Sequence, residues 1–254
     1  MVFSVFIIGT AGSGKSLLTA EFAEWLRMEK QNVATLNLDP GVIKLPYMPD
    51  IDIRDYITVE SIMDEHSLGP NGALIMAADL IAEETETLSR EIEDLSPDIL
   101  LIDTPGQMEI FAFRVSGPYI ANEISKEQKA VLYLFDAVFS SNPINYVSNM
   151  FLSAAVHTRF LLPQIHVLSK CDLLPERDIE SIVQWSENSK ALKVAINERL
   201  DGTKRLLSQR MARALHQLGL IFPLISVSAK TSEGFIDLNA TLERIFTGGE
   251  KFTY

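Results

Sequence analysis

The sequence predicts an α/β protein in three layers: a mainly parallel sheet flanked by helices. Three observations lead there. Six short apolar runs recur along the chain, and they are continuously apolar rather than alternating, as strands covered on both faces are. Helical patterns fill the intervals, and strand–helix alternation gives parallel strands joined by crossovers. Polar residues gather just after the runs end, at the edge where open α/β sheets bind ligands.

The first run, residues 2–8, leads into GTAGSGKS at residues 9–16, and an amphipathic helix follows over 17–27. This matches the G-x-x-x-x-G-K-[ST] pattern in full, in the strand–loop–helix context of a P-loop NTPase fold. The glycines let the backbone curl, so the N–H groups around Gly12, Ser13, Gly14 and Leu17 point at phosphate oxygens, aided by the helix N-terminus. Lys15 is placed to reach the outer phosphates of a nucleoside triphosphate, and Ser16 to put its hydroxyl on Mg²⁺.

The second run, 33–38, ends in Asp39-Pro40-Gly41; Asp39 is a candidate ligand to a Mg²⁺-bound water, since Mg²⁺ keeps several waters and takes few carboxylates, or a switch residue. The third, 99–102, ends in Asp103 and continues Thr104-Pro105-Gly106-Gln107. An acid at the tip of a buried strand suits the outer shell of Mg²⁺ or the ordering of a catalytic water, the Gly106 amide can approach a γ-phosphate, and Gln107 and Glu109 can hold an attacking water. The fourth run is 130–135, ending in Asp136. The fifth, 165–168, leads to Ser169-Lys170-Cys171-Asp172. An aspartate there accepts from the N1–H and exocyclic amine of guanine, a donor pair adenine lacks. The stem of Lys170 can lie along the ring. The sixth, 220–227, leads to Ser228-Ala229-Lys230, where a backbone N–H at Ala229 can meet the guanine O6.

Two intervals exceed a crossover. Residues 44–96 contain the turn signal Gly69-Pro70-Asn71-Gly72 and then one long helix over 73–95; residues 176–216 are rich in charge and helix formers. We read one domain, 1–254, with helical insertions at these two places, and expect the tail after Gly248 to fray.

Composition narrows the function classes. Asp and Glu number 34 against 22 Lys and Arg, so the surface repels nucleic acid and anionic membrane unless a basic patch lies on one face. The single cysteine, Cys171, excludes an intrachain disulfide and suits a reducing cytoplasm; it reads as a packing residue. No stretch reaches the roughly 18 apolar residues of a membrane span, and the apolar N-terminus reads as a buried strand. The four histidines show no metal-ligand spacing, and His157 and His166 read as surface or partly buried.

In order, GTAGSGKS, NLDPG, GPN, DTPGQME, SKCD and SAK resemble the GPN-loop GTPases, over residues 9–230. The resemblance implies Mg²⁺-dependent hydrolysis of GTP to GDP and a dimer in which the GPN loop of one subunit, Gly69-Pro70-Asn71, reaches the nucleotide site of the other. Asn71 would then approach the γ-phosphate in trans. It also implies a switch that assists assembly of a protein complex, with RNA polymerase as the family's client, and an archaeal-type homodimer. Gly41 departs from the family's pattern, standing where alanine is common. Ser169 stands where most GTPases have asparagine, as is usual for this family, and loses the amide that ties this loop to the P-loop. The competing readings are a P-loop phosphotransferase, which would need an arginine-bearing lid, and a non-catalytic GTP-binding scaffold.

Overall fold

The structure, a computed structural model, describes residues 2–219 and 223–247. Seven parallel strands form one sheet: β1 (Phe3–Gly9), β2 (Val33–Asn37), β3 (Ile51–Asp52), β4 (Ile99–Asp103), β5 (Lys129–Asp136), β6 (Gln164–Ser169) and β7 (Leu224–Ser226). Their spatial order is β3-β2-β4-β1-β5-β6-β7. The register sets Asp103 beside both Ile7 and Asn37, and Asp136 beside Ser169, so the polar strand ends share one edge.

The continuous apolar runs resolve into two cores. Phe6 and Ile8 of β1 face one core while Val5 and Ile7 face the other. The second core is closed by the helices Lys15–Met28 and Phe235–Phe246, through Leu18, Phe22, Leu26, Phe235, Leu238 and Leu242. Each such side chain contributes about 1.5–3 kcal/mol on burial. Helices of both insertions pack on the first core. Among the described residues no helix is long and apolar enough to cross a membrane.

Four expectations need correction. The long helix over 73–95 is two helices, Pro70–Glu83 and Thr85–Leu95. Glu84 leaves helical geometry (φ −87, ψ 2), its N–H turning to Ile81 O at 3.2 Å, while the Thr85 hydroxyl donates to Ala82 O. The first helix starts at Pro70 because proline's fixed φ and missing N–H suit the first helical position. Strand β3 adds an edge that two residues are too short to announce. Of the run expected over 220–227, Leu224–Ser226 forms strand and 220–222 lie outside the described residues, as does the tail after Thr247. His166 is a core residue, 2% exposed, with its ring against Phe135 and Tyr133.

Candidate nucleotide site

The P-loop is a tight coil between β1 and the helix Lys15–Met28. Gly12 (φ +74) and Gly14 (φ +94) are left-handed, a conformation that side chains resist. A Cβ on Gly9 would fall 2.7 Å from Ser13 Oγ. Lys15 is 6% exposed and its Nζ donates to Gly9 O (3.0 Å) and Thr10 O (3.2 Å), so the ammonium lies across the mouth of the loop. Burial lowers its pKa, opposed by the charges of Asp103, Asp39 and Glu109. Ser16, half-buried, stands beside Asp103, and Thr104 Oγ1 donates to Ile7 O at 2.7 Å, holding the end of β4 to β1.

Asp103 is 1% exposed. Burial pushes its carboxyl up to about 6; the Ser16 hydroxyl, Lys15 and Tyr47 pull it down, and Asp39 pushes it up. Tyr47 Oη donates to Asp103 Oδ2 at 3.3 Å, while Asp103 Oδ1 has no hydrogen-bond partner among the described residues. A buried carboxylate oxygen without a donor costs free energy, and a hydrated cation is the partner its charge fits. With Ser16 and Asp39 alongside, the donor set is hard oxygen, as Mg²⁺ requires. Asp39 spans two loops. Its Oδ1 accepts from Gly41 N (3.0 Å) and its Oδ2 from Gly106 N (2.9 Å), joining the Asp-Pro-Gly turn to the loop after β4. Gln107 and Glu109 are exposed at the start of the helix Met108–Ala112. Gln107 also lines a cavity of about 160 Å³ with Asp39, Gly41, Gly106 and Leu74. A Cβ on Gly41 would come within 3.2 Å of Leu74 Cδ2, so glycine widens that cavity.

At the other end, a cleft of about 210 Å³ lies between the P-loop and the loops after β6 and β7. Gly14, Leu17, Lys170, Asp172 and Ala229 line it. Lys170 (φ +62) crosses the P-loop: its Nζ pairs with Asp136 Oδ2 at 2.7 Å and donates to Gly12 O. Asp172 is held by Ser228, whose Oγ donates to its Oδ1 at 2.9 Å. The tie expected to be lost at Ser169 is kept by other atoms: its hydroxyl donates to Ser13 O at 2.8 Å. Cys171 is buried under this loop, and burial pushes its thiol up to about 11, as for an inert packing residue.

The predicted phosphate and base residues thus converge on one edge. Asn71 does not join them. Gly69, Pro70 and Asn71 are exposed in the first turn of Pro70–Glu83, and the Asn71 side chain makes no hydrogen bond to any described residue. Tyr47, Asp136 and Ser228 are site residues that the sequence reading missed as such. Asp136, a polar end to an apolar run, and Ser228, which opens the Ser-Ala-Lys tripeptide, carried a local signal; Tyr47 carried none.

Comparison with known proteins gives the family. Residues 7–248 match the family model described as "Conserved hypothetical ATP binding protein". GPN-loop GTPase PAB0955 of Pyrococcus abyssi is 36% identical over 92% of this chain and 93% of its own length. The chain belongs to the GPN-loop GTPase family. The crystal structure of that archaeal GTPase in its apo form superposes with a TM-score of 0.84 at 34% identity, covering 96% of this chain and 97% of that one. GPN-loop GTPase 1 of Saccharomyces cerevisiae is 30% identical over 91% of this chain, which spans only 63% of the yeast protein. The family model's description names ATP, whereas these relatives are named GTPases.

Proposed function

We propose that this GTPase binds GTP with Mg²⁺ and hydrolyses it to GDP and phosphate as a homodimeric switch, each subunit completing the other's site with its GPN loop. The observation that carries this reading is the convergence of Lys15, Asp39 and Asp103 at one end of a cleft whose other end presents Asp172. Gly12, Ser13, Gly14 and Leu17 cradle the phosphates through their backbone N–H groups. Ser16, and Asp39 and Asp103 through water, would hold Mg²⁺, which neutralises charge on the β- and γ-phosphates.

Hydrolysis joins a water oxygen to the γ-phosphorus and breaks the bond to the β–γ bridging oxygen, whose electron pair leaves with GDP while the proton passes to phosphate. Gln107 and Glu109 orient that water. Lys15 balances charge on the phosphoryl oxygens, and the Gly106 amide turns from Asp39 to the γ-phosphate. Since the transition state is loose, positioning and charge stabilisation supply the rate. Asp172 and the Ala229 amide read guanine, with Lys170 along its face.

The exposed Asn71 side chain, without a hydrogen bond to any described residue, supports action in trans because it is available to a partner's site. We further read the chain as one domain with two helical insertions, working in the cytoplasm on a protein client, RNA polymerase by likeness to the family. Mixing two inactive variants, Asn71→Ala and Lys15→Met, tests the dimer. In a mixed dimer the Lys15→Met subunit lends its intact GPN loop to the other's intact P-loop, so GTP hydrolysis without an acceptor should return. Activity that stays absent although mixed dimers form would overturn the trans assignment.

A further inference from the structure

Residues 189–217 break the charge pattern of the chain. They carry seven lysines and arginines against Glu198 and Asp201, a local balance of +5 where the total is −12, so the rest of the chain carries −17. They fold as the helices Ser189–Arg199 and Gly202–Gln217, joined by Leu200 and Asp201, with Asn197 and Gln209 hydrogen-bonded across the hairpin. Leu192, Ala195, Ile196 and Leu215 face inward and are buried. Helical spacing sets Lys190, Lys193 and Val194 on one outward stripe and Leu206, Arg210 and Arg213 on another. Val194, Leu206 and Leu207 are each more than half exposed. Lys190, Lys193, Lys204, Arg210 and Arg213 are exposed, and none forms an ion pair with a described residue. Arg199, by contrast, is occupied within the fold, donating to Ser141 O at 2.9 Å and lying over the Trp185 ring.

Like charges on neighbouring turns repel, so this face does not stabilise its own hairpin. We propose that it docks an acidic peptide segment of a protein partner, with leucine-like side chains set among the carboxylates. The carboxylates meet the cations, bidentately at Arg210 and Arg213, while the apolar side chains cover Val194, Leu206 and Leu207. A short segment fits best because the attraction is local. Screening confines it to about 8–10 Å, and a nucleic acid or bilayer extending further meets the −17 of the remaining surface. Phosphate backbones also leave the three apolar side chains uncovered. A second copy could offer its own acidic helix Thr85–Leu95, but Leu88 and Ile92 of that helix are buried in its own core and cannot cover Val194, Leu206 and Leu207. The proposal stands apart from the nucleotide site and does not depend on it.

Fluorescence anisotropy with the full chain and a labelled peptide of repeated Glu-Glu-Leu triplets tests it. Binding should weaken about tenfold from roughly 50 to 250 mM salt, as an electrostatically complementary interface does. The quadruple variant Lys190→Glu, Lys193→Glu, Arg210→Glu, Arg213→Glu should abolish it. Leu206→Ser with Leu207→Ser should weaken it about fivefold, the worth of a small apolar contact, and a Gln-Gln-Leu peptide should not bind. Unchanged circular dichroism and GTP turnover show that a variant is folded; should the quadruple variant misfold, the serine pair and the salt series carry the test. Equal binding by charge-reversed and parent chains overturns the proposal. So does preference for single-stranded DNA or phosphatidylserine vesicles over the peptide, or salt-sensitive self-association that the quadruple variant removes.

Discussion

The two ends of the proposed nucleotide cleft are built on opposite terms. At the base end the polar groups have protein partners: Ser169 on Ser13 O, Lys170 on Asp136 and Gly12 O, Ser228 on Asp172. At the phosphate end charge is crowded and under-satisfied. Lys15, Asp39, Asp103 and Glu109 interact at close range, and Asp103 Oδ1 is buried without a donor. The contrast follows from the work of each end. Reading a base needs one fixed shape, which a closed hydrogen-bond network supplies. Transferring a phosphoryl group needs charges held ready for charge that develops later, and such groups sit uneasily until substrate and cation arrive.

The sharpest test of that contrast is at Lys15. Lys15→Met should slow single-turnover GTP hydrolysis by about 10²–10³-fold, the usual loss for one buried charge-stabilising donor. Lys15→Arg should not rescue it, because a planar guanidinium cannot replace an ammonium seated between Gly9 O and Thr10 O. A loss below tenfold would remove the phosphate end as the seat of catalysis.

Asp103 gives the next largest effect. Its folded pKa is raised to about 6, so the folded chain holds this proton more tightly than the unfolded chain does. Its contribution is therefore full below about pH 4 and is lost as pH rises through about 6, by about 3 kcal/mol. Urea denaturation with a chelator present should show parent stability falling across that window relative to Asp103→Asn. A constant difference between the two proteins would mean that Asp103 is not strained.

At the base end, Asp172→Asn should weaken GTP by about 2–3 kcal/mol, as charged hydrogen bonds do, and xanthosine triphosphate should recover part of it. Isothermal titration separates this from loss of fold. Equal GTP and ATP affinity in the parent would break the guanine assignment and favour the ATP description instead.

What the sequence made legible was local. The P-loop, the ends of β2, β4, β5 and β6, and the base loop were readable because each joins a continuous apolar run to polar punctuation. What it hid depends on contacts between distant residues. Tyr47 meets Asp103 across 56 positions, and Ser228 meets Asp172 across the same separation. No window along the chain contains either pair. The break at Glu84 was hidden for another reason: Glu and Thr are ordinary in helices, and the turn there is made by backbone geometry. Ser169 shows chemistry outlasting a motif, since a hydroxyl reaches the P-loop carbonyl where an amide was thought necessary.

The smallest predicted effect probes how closed the base end is. Asp136 is the only carboxylate paired with Lys170 among the described residues, and it also caps the short helix Ala137–Ser140 through Phe139 N. The Lys170–Asp136 pair is partly exposed, 32% and 18%, so screening limits it to about 1 kcal/mol. Asp136→Asn keeps the cap, because an amide oxygen still accepts from Phe139, but removes the charge that steadies Lys170 over the P-loop. Lys170 retains Gly12 O and its proposed place along the base. The KM for GTP should therefore rise about fivefold with kcat unchanged, since binding energy common to ground and transition states is what is lost. A fall in kcat instead would mean that Lys170 reaches into the chemistry, and that the two ends of the cleft are less separate than their hydrogen bonding implies.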